Sequence, residues 1–305
     1  MKTIFLAALL AAAFPMTALA EDAVLPPPVV VTAAPAASGV ALRFKFVPGE
    51  TRRYKMNMAM TGTMLTGQSG AGIPMNTIME MVMRQTVKSV RPSDGAATMT
   101  TQIETMGMSM NGKAIAMPEA QTAKMKQPTT TLMLPTGKVI SVDSAALPAS
   151  AISGIDPSSA MKASLAFPDL PVKVGDHWNG AFNLGGINVL YASSLAGLTT
   201  EGGADRATIN QTLNGTVNMT VAKNMPVAMK MTGKLTGGGS QVFDNTAGAL
   251  VSQNMEMNMN FLMKFTPPAG AARPAGMPPS MKMAMKQIVT MERLDDAIPG
   301  TTLVK

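Results

Sequence analysis

The segment Ala249–Phe265, ALVSQNMEMNMNFLMKF, places Val251, Met255, Met257, Met259, Phe261, Met263 and Phe265 at odd positions. Ser252, Asn254, Glu256, Asn258, Asn260 and Lys264 fall at even ones. Period two sends alternate side chains to opposite faces of an extended chain, so the segment reads as a strand with one apolar and one polar face. A helix would scatter the same methionines around its axis. The pattern returns at Tyr54–Met60, Met79–Met83, Met106–Met110 and Met281–Met291.

These repeats predict a mainly β protein. Met75–Val90 reads as a long strand, Arg91–Gly95 as a hairpin turn, and Ala97–Met110 as the returning strand. The phase of that strand changes between Ile103 and Met106, which predicts a bulge. A second hairpin is expected over Thr129–Leu134 and Lys138–Asp143, turning at Pro135-Thr136-Gly137. Ala207–Val221 and Met225–Leu235 are further strands, the latter ended by Gly237-Gly238-Gly239. Seventeen residues at about 3.3 Å each would reach roughly 55 Å, and strands that long must twist and curl. The expected architecture is therefore a set of long curved antiparallel strands, a sandwich or an open half-barrel.

The chain divides into a signal peptide at 1–20, a Pro/Ala-rich spacer at 21–40, a first β repeat at 41–143, a joint at 144–167, a second β repeat at 168–294 and a tail at 295–305. Lys2, the apolar run Ile4–Phe14 and Ala18-Leu19-Ala20 fit cleavage near Ala20-Glu21, which predicts a periplasmic or secreted protein. No later segment is apolar for long enough to span a bilayer as a helix. The joint lacks period two, and Ser158–Leu165 after Asp156-Pro157 is expected to be a short helix. The two repeats rest on turns recurring in order, such as Pro48-Gly49-Glu50 before Tyr54 and Val174-Gly175-Asp176 before Trp178.

Composition removes several function classes. Cysteine is absent, which excludes disulfides, a thiol nucleophile and a thiolate metal site. The 25 basic and 18 acidic residues become 24 and 18 once Lys2 leaves with the leader, a net charge of +6. Without a dense basic run, and with aromatics at 4%, that charge points to a solvated surface, not to a nucleic-acid partner. The single histidine, His177 in Gly175-Asp176-His177-Trp178, cannot build a multi-histidine zinc site, and no Gly-x-Ser-x-Gly elbow accompanies it. Glu80, Glu104 and Glu256 lie in strand-like runs without a spacing that demands a catalytic pair. The sequence points away from an enzyme.

Methionine is the anomaly, 31 residues in all. It serves as adaptable core filler, or it lines a groove that re-packs around an apolar or lipid-like ligand. Met56, Met58, Met60, Met79, Met81, Met83, Met255, Met257 and Met259 are the candidate lining of such a groove. A third possibility is a periplasmic Cu(I) protein, since soft thioethers select that ion. Its ligands would be the Met-x-Met runs Met106, Met108, Met110 and Met255, Met257, Met259. Surface methionines absorbing oxidant are a fourth. The reading carried forward is a non-enzymatic periplasmic or secreted β-protein that holds an apolar small molecule, or meets an envelope component, on a Met-rich concave sheet. The alternatives are copper as cofactor and a purely structural or interaction module.

Leu42–Thr51 with Tyr54, then Leu134–Val139, then Leu170–Trp178, resembles a family of bacterial exported β-proteins known only as a domain of unknown function. The resemblance spans about Ala41 to Leu294 and rests on turns and strand starts. It implies a mostly β protein of the cell envelope and carries over no catalytic residue. Many relatives look lipid-anchored; this chain lacks the cysteine that would take the lipid.

Overall fold

The structure, a computed structural model, describes residues 39–66, 72–143, 166–184, 186–221, 228–267 and 278–294. Its strands are β1 (Thr51–Thr66), β2 (Gly72–Val90), β3 (Ala97–Met110), β4 (Lys113–Ala114), β5 (Thr129–Met133) and β6 (Val139–Asp143), followed by β7 (His177–Leu184), β8 (Ile187–Glu201), β9 (Ala204–Val221), β10 (Ala228–Asp244), β11 (Ala249–Thr266) and β12 (Ser280–Leu294). One helix, α1 (Glu119–Met125), stands between β4 and β5. The leader, nearly all of the spacer, the helix expected at 158–165 and the tail lie outside the described residues.

All the strands join one antiparallel sheet, in the order β6-β5-β3-β2-β1-β12-β11-β10-β9-β8-β7, with β4 paired to the far end of β3. The path is a meander in which β1 and β12 pair along their length, from Arg53↔Leu294 to Thr66↔Met281. Joining β6 to β7 would close it into a barrel; instead these two are the edges of the sheet. The protein is thus an open half-barrel, one of the two architectures its alternation allows.

The sheet curls hard. Phe44 donates its backbone N–H to Pro135 in the β5–β6 turn, at 2.7 Å, while its ring lies 5.1 Å from that of Phe243 on β10. From β5 to β10 there are six strand-to-strand steps. At about 4.8 Å per step a flat sheet would hold those strands roughly 29 Å apart. Phe167 makes the same span, from Thr136 at 2.8 Å to the Phe243 ring at 4.8 Å. The face carrying these rings is therefore concave.

Two extended segments close one end of the trough. Val40 and Val172 exchange backbone hydrogen bonds of 2.8 and 2.9 Å, and Leu42, Phe167, Val172, Leu195, Ala207, Ile209 and Phe243 form one buried cluster around them. Arg43 adds bonds to the carbonyls of Pro168 and Asp169. Leu42–Phe46, which alternates in the sequence, packs here without becoming a strand of the sheet.

Two local expectations meet different fates. The phase change in β3 is a bulge: Val82 faces Thr105 and Met83 faces Ile103, leaving Glu104 as the extra residue. That bulge returns Ile103, Met106 and Met108 to the inward face. The triple glycine, by contrast, does not end a strand, since β10 runs unbroken through Gly237-Gly238-Gly239. A Cβ on Gly239 would stand 2.0 Å from the Asn254 carbonyl and 2.8 Å from Met255 Sδ; one on Gly237 would stand 3.0 Å from Met257 Cγ. The missing side chains leave the room into which the β11 methionines lean, so β10 and β11 can bend towards the concave side.

A methionine-lined concave face as candidate functional site

The register stacks the predicted lining residues in rows across the strands. One row reads Met106, Met81, Met56 and Met291, then Gln253, Gln241, Ile209 and Leu195. The next reads Met108, Met79, Met58 and Val289, then Met255, Gly239, Gln211 and Ser193. A third reads Met110, Thr77, Met60 and Gln287, then Met257, Gly237, Leu213 and Tyr191. Directly opposed residues in such rows have Cβ atoms about 4.5–5.5 Å apart, within reach of a thioether.

Met56, Met58, Met60, Met79, Met81 and Met83 sit in one buried cluster, with Met56 and Met81 only 2% exposed. Met255 and Met257 are buried beside Phe182, Val189 and Tyr191, and the half-buried Met259 touches both groups. The nine residues thus share one face, and they fill it. Ile115 and Met117, between β4 and α1, pack over the first cluster. Neither the depression between β1, β11 and β12 nor the one beside Phe44, Phe46 and Tyr54 is lined by any of these nine methionines. The depression of about 370 Å³ between β1, β11 and β12 is bordered mainly by outward polar residues such as Thr61, Thr63, Asn258, Asn260 and Lys286.

The copper ligand set is split by the topology. Met106, Met108 and Met110 on β3 lie four strand steps along the sheet from Met255, Met257 and Met259 on β11. The better thioether arrangement is lateral, Met106–Met81–Met56 across three adjacent strands. Among the described residues no three His, Asp, Glu or Cys side chains gather into a metal-binding group. His177 is exposed at the start of β7, and Asp176 accepts the Lys173 backbone N–H at 2.8 Å, which makes it a turn residue. The strand glutamates singled out in the sequence point outward: Glu80 is exposed, Glu104 pairs with Arg53 at 2.9 Å and Arg84 at 3.4 Å, and Glu256 with Lys286 at 2.8 Å.

At the plugged end the charge is structural. Arg52 pairs with Glu50 at 2.7 Å and donates to the carbonyls of Lys45, Ala247 and Gly248, tying the segment before β1 to the β10–β11 turn. Burial raises the Tyr54 hydroxyl above its ordinary pKa, against the lowering pull of Arg52 and Arg293. Burial likewise raises Tyr191, against a lowering backbone hydrogen bond from Ala166. These are the only 2 tyrosines of the chain, so phenolate absorbance reads both. An acid whose folded pKa lies above its unfolded value stabilises fully below the unfolded value and less as pH rises past it. Native protein should therefore show less phenolate at pH 10 than unfolded protein, which is half ionised there, and its stability should fall as pH climbs above 10. A native titration curve overlying the unfolded one would contradict the burial of both rings.

The alternation hid a second feature of this face. Gln211 and Ser193, cross-strand partners on β9 and β8, occupy inward positions at 3% and 1% exposure. Neither polar atom of the Gln211 amide, nor the Ser193 hydroxyl, has a hydrogen-bond partner in the protein. Thr77, on the other wing, has a buried hydroxyl in the same condition. The sequence signal was present: Ala207, Ile209, Leu213 and Val217 are apolar, and Gln211 breaks the set.

No family model matches the chain, and no curated protein does. Among solved structures, lipovitellin, described for its lipid–protein interactions, matches at 7% identity with a TM-score of 0.43, over 85% of this chain and 27% of that one. OmpF of Salmonella typhi in complex with daunomycin matches at 8% identity and 0.24, over 80% and 98%. A DUF1329 family protein from Desulfovibrio piger matches at 10% identity and 0.20, over 83% and 88%. The chain spans about a quarter of the lipovitellin chain, and none of these likenesses reaches a TM-score of 0.5.

The outward positions of β9 and β11 differ from the lipid-facing strands of a membrane barrel. Outer-membrane barrels carry their apolar band outside. Here β9 presents Thr208, Asn210, Thr212, Asn214, Thr216, Asn218 and Thr220 outward, and β11 presents Asn254, Glu256, Asn258 and Asn260. On these two strands the apolar set is inside and the polar set outside, while Ile78, Leu190 and Ile288 are exposed on β2, β8 and β12. No helix among the described residues is long and apolar enough to cross a membrane.

Proposed function

We propose that this is an exported, non-enzymatic β-protein that takes up an elongated apolar ligand along its methionine rows, admitting it where β6 and β7 fail to meet. The observation that carries the reading is an unclosed sheet whose concave face is rich in thioethers while the convex positions of β9 and β11 are polar. Long unbranched methionine side chains re-pack around varied shapes, so a filled trough can accept a chain by rearranging its lining. The leader-like first twenty residues support export. In delipidated protein the neutral fluorophore N-phenyl-1-naphthylamine should show saturable, blue-shifted emission, and native mass spectrometry after gentle purification should show retained lipid. Unsaturable fluorescence together with a bare chain mass would remove this reading.

A second reading has its own observation. The row Met106–Met81–Met56 offers three thioethers on adjacent strands, chemistry suited to Cu(I). Anaerobic titration should then show tight Cu(I) binding that Met56→Leu with Met81→Leu weakens, whereas Met255→Leu with Met257→Leu would weaken it if the β11 run is the site. Affinity unchanged by both pairs would dismiss copper.

A further inference from the structure

We propose that Gln211 and Ser193 form a recognition station for the uncharged, hydrogen-bonding head of the apolar ligand, whose hydrocarbon part lies along the methionine rows. The inference rests on the ligand-binding reading above and adds the chemical class of the ligand. Four observations converge on it. First, the amide oxygen and nitrogen of Gln211 and the hydroxyl of Ser193 are buried, adjacent across β8 and β9, and without partners. Leaving a buried polar group unpaired costs the full desolvation of that group, and native proteins rarely keep two side by side without a use. Second, the two point into the face that carries the methionines, in a row that continues through Met255, Met58 and Met79 on one side and reaches Trp178 on β7 on the other.

Third, the neighbouring position on β10 is Gly239, where a side chain would otherwise stand beside Gln211. The β11 backbone at Asn254 and the Met255 thioether border that position, and of the two the thioether can swing away. Fourth, the surroundings are free of charge. From β8 to β2, the Gln211 row and the rows on either side hold apolar residues, glycine, serine, glutamine, Thr77 and Tyr191, and no Lys, Arg, His, Asp or Glu. A buried carboxylate or phosphate with no cation would be strongly disfavoured, so the head must be neutral. Gln211 offers two donor hydrogens and an acceptor oxygen, and Ser193 offers one of each kind. An alcohol or an ester carries the matching groups. The class that fits is a neutral lipid such as a monoacylglycerol or a long-chain alcohol; ionised fatty acids and phospholipids do not fit.

The test separates the station from the trough. Gln211→Met, a near-isosteric change to the residue that already lines this face, is combined with Ser193→Ala. N-phenyl-1-naphthylamine reports occupancy of the trough; monoolein, hexadecanol and ionised palmitate at pH 9 are competitors. In the native chain monoolein and hexadecanol should displace the fluorophore and palmitate should not. In the double variant the fluorophore should bind unchanged, while the two neutral lipids weaken by about tenfold or more, as expected for lost buried hydrogen bonds. The variant should also melt at a higher temperature, because orphaned polar groups have been replaced by apolar ones. If that pair does not fold, Gln211→Leu alone gives the same comparison. Equal displacement of native and variant protein would overturn the station and leave the trough standing. Displacement by palmitate as strong as by monoolein would overturn the neutral-head assignment. Absence of any fluorophore binding to native protein would sink both.

Discussion

Phe243→Ala should destabilise the protein by about 3–5 kcal/mol, the usual cost of removing a fully buried ring. Phe243 is 0% exposed, and it is where the two arms of the curled sheet are pinned together. Its ring packs edge-on against Phe44 at 5.1 Å and against Phe167 at 4.8 Å, and those two are stacked on each other at 5.5 Å. Each neighbour is also hydrogen-bonded through its backbone to the β5–β6 turn on the opposite arm. Loss of the ring removes apolar burial and leaves a cavity against which the two closing segments no longer rest. The effect should be regional as well as global. Amide hydrogens of Val40, Phe44, Phe167 and Val172 should exchange faster, while those in the β11–β12 pairing keep their protection. Leu198→Ala on β8, at 45% exposure, is the control and should stay within about 0.5 kcal/mol of the native chain. A Phe243→Ala protein no less stable than this control would show that the plug does not hold the arms.

Much of the sheet was readable because period two is a local property. Ala249–Phe265 emerges as β11, one residue longer, and Ala97–Met110 is β3 with the bulge placed where the phase slips. The inward set of methionines is likewise legible, since every second residue on a strand shares a face. What could not be read is non-local. Nothing within β10 says that Gly237 and Gly239 lie under Met257 and Met255, so the glycines read as an end of strand when they are a site of bending. Helix α1 has seven residues and no side-chain N-cap, so it carried no start signal. The curl depends on Phe44 and Phe167 meeting Phe243 across six strand steps, a contact that alternation does not encode. Gln211 and Ser193 were visible as polar interruptions of an apolar set. Only burial without a partner gives them meaning, and that is not a local property.

Met81→Ala should cost about 2–5 kcal/mol and Met81→Leu less than about 1.5 kcal/mol, because the first empties a buried site and the second nearly conserves its volume. Met81 is 2% exposed, between Met56 on β1 and Met106 on β3. That contrast is expected whatever the methionines are for, since any core side chain of this size behaves so. The discriminating protein carries Met56→Leu, Met81→Leu, Met255→Leu and Met257→Leu together. Leucine keeps the hydrophobic volume but loses the sulfur and the freely turning unbranched stem. If methionine is only filler, the fourfold variant should keep both its stability and its uptake of N-phenyl-1-naphthylamine. If the trough admits ligand by re-packing its lining, the variant should melt near the native temperature and yet bind the fluorophore more weakly. A copper function would leave fluorophore binding intact and abolish Cu(I) affinity. The separation works because stability follows the volume of these side chains, uptake follows their flexibility, and metal binding follows their sulfur.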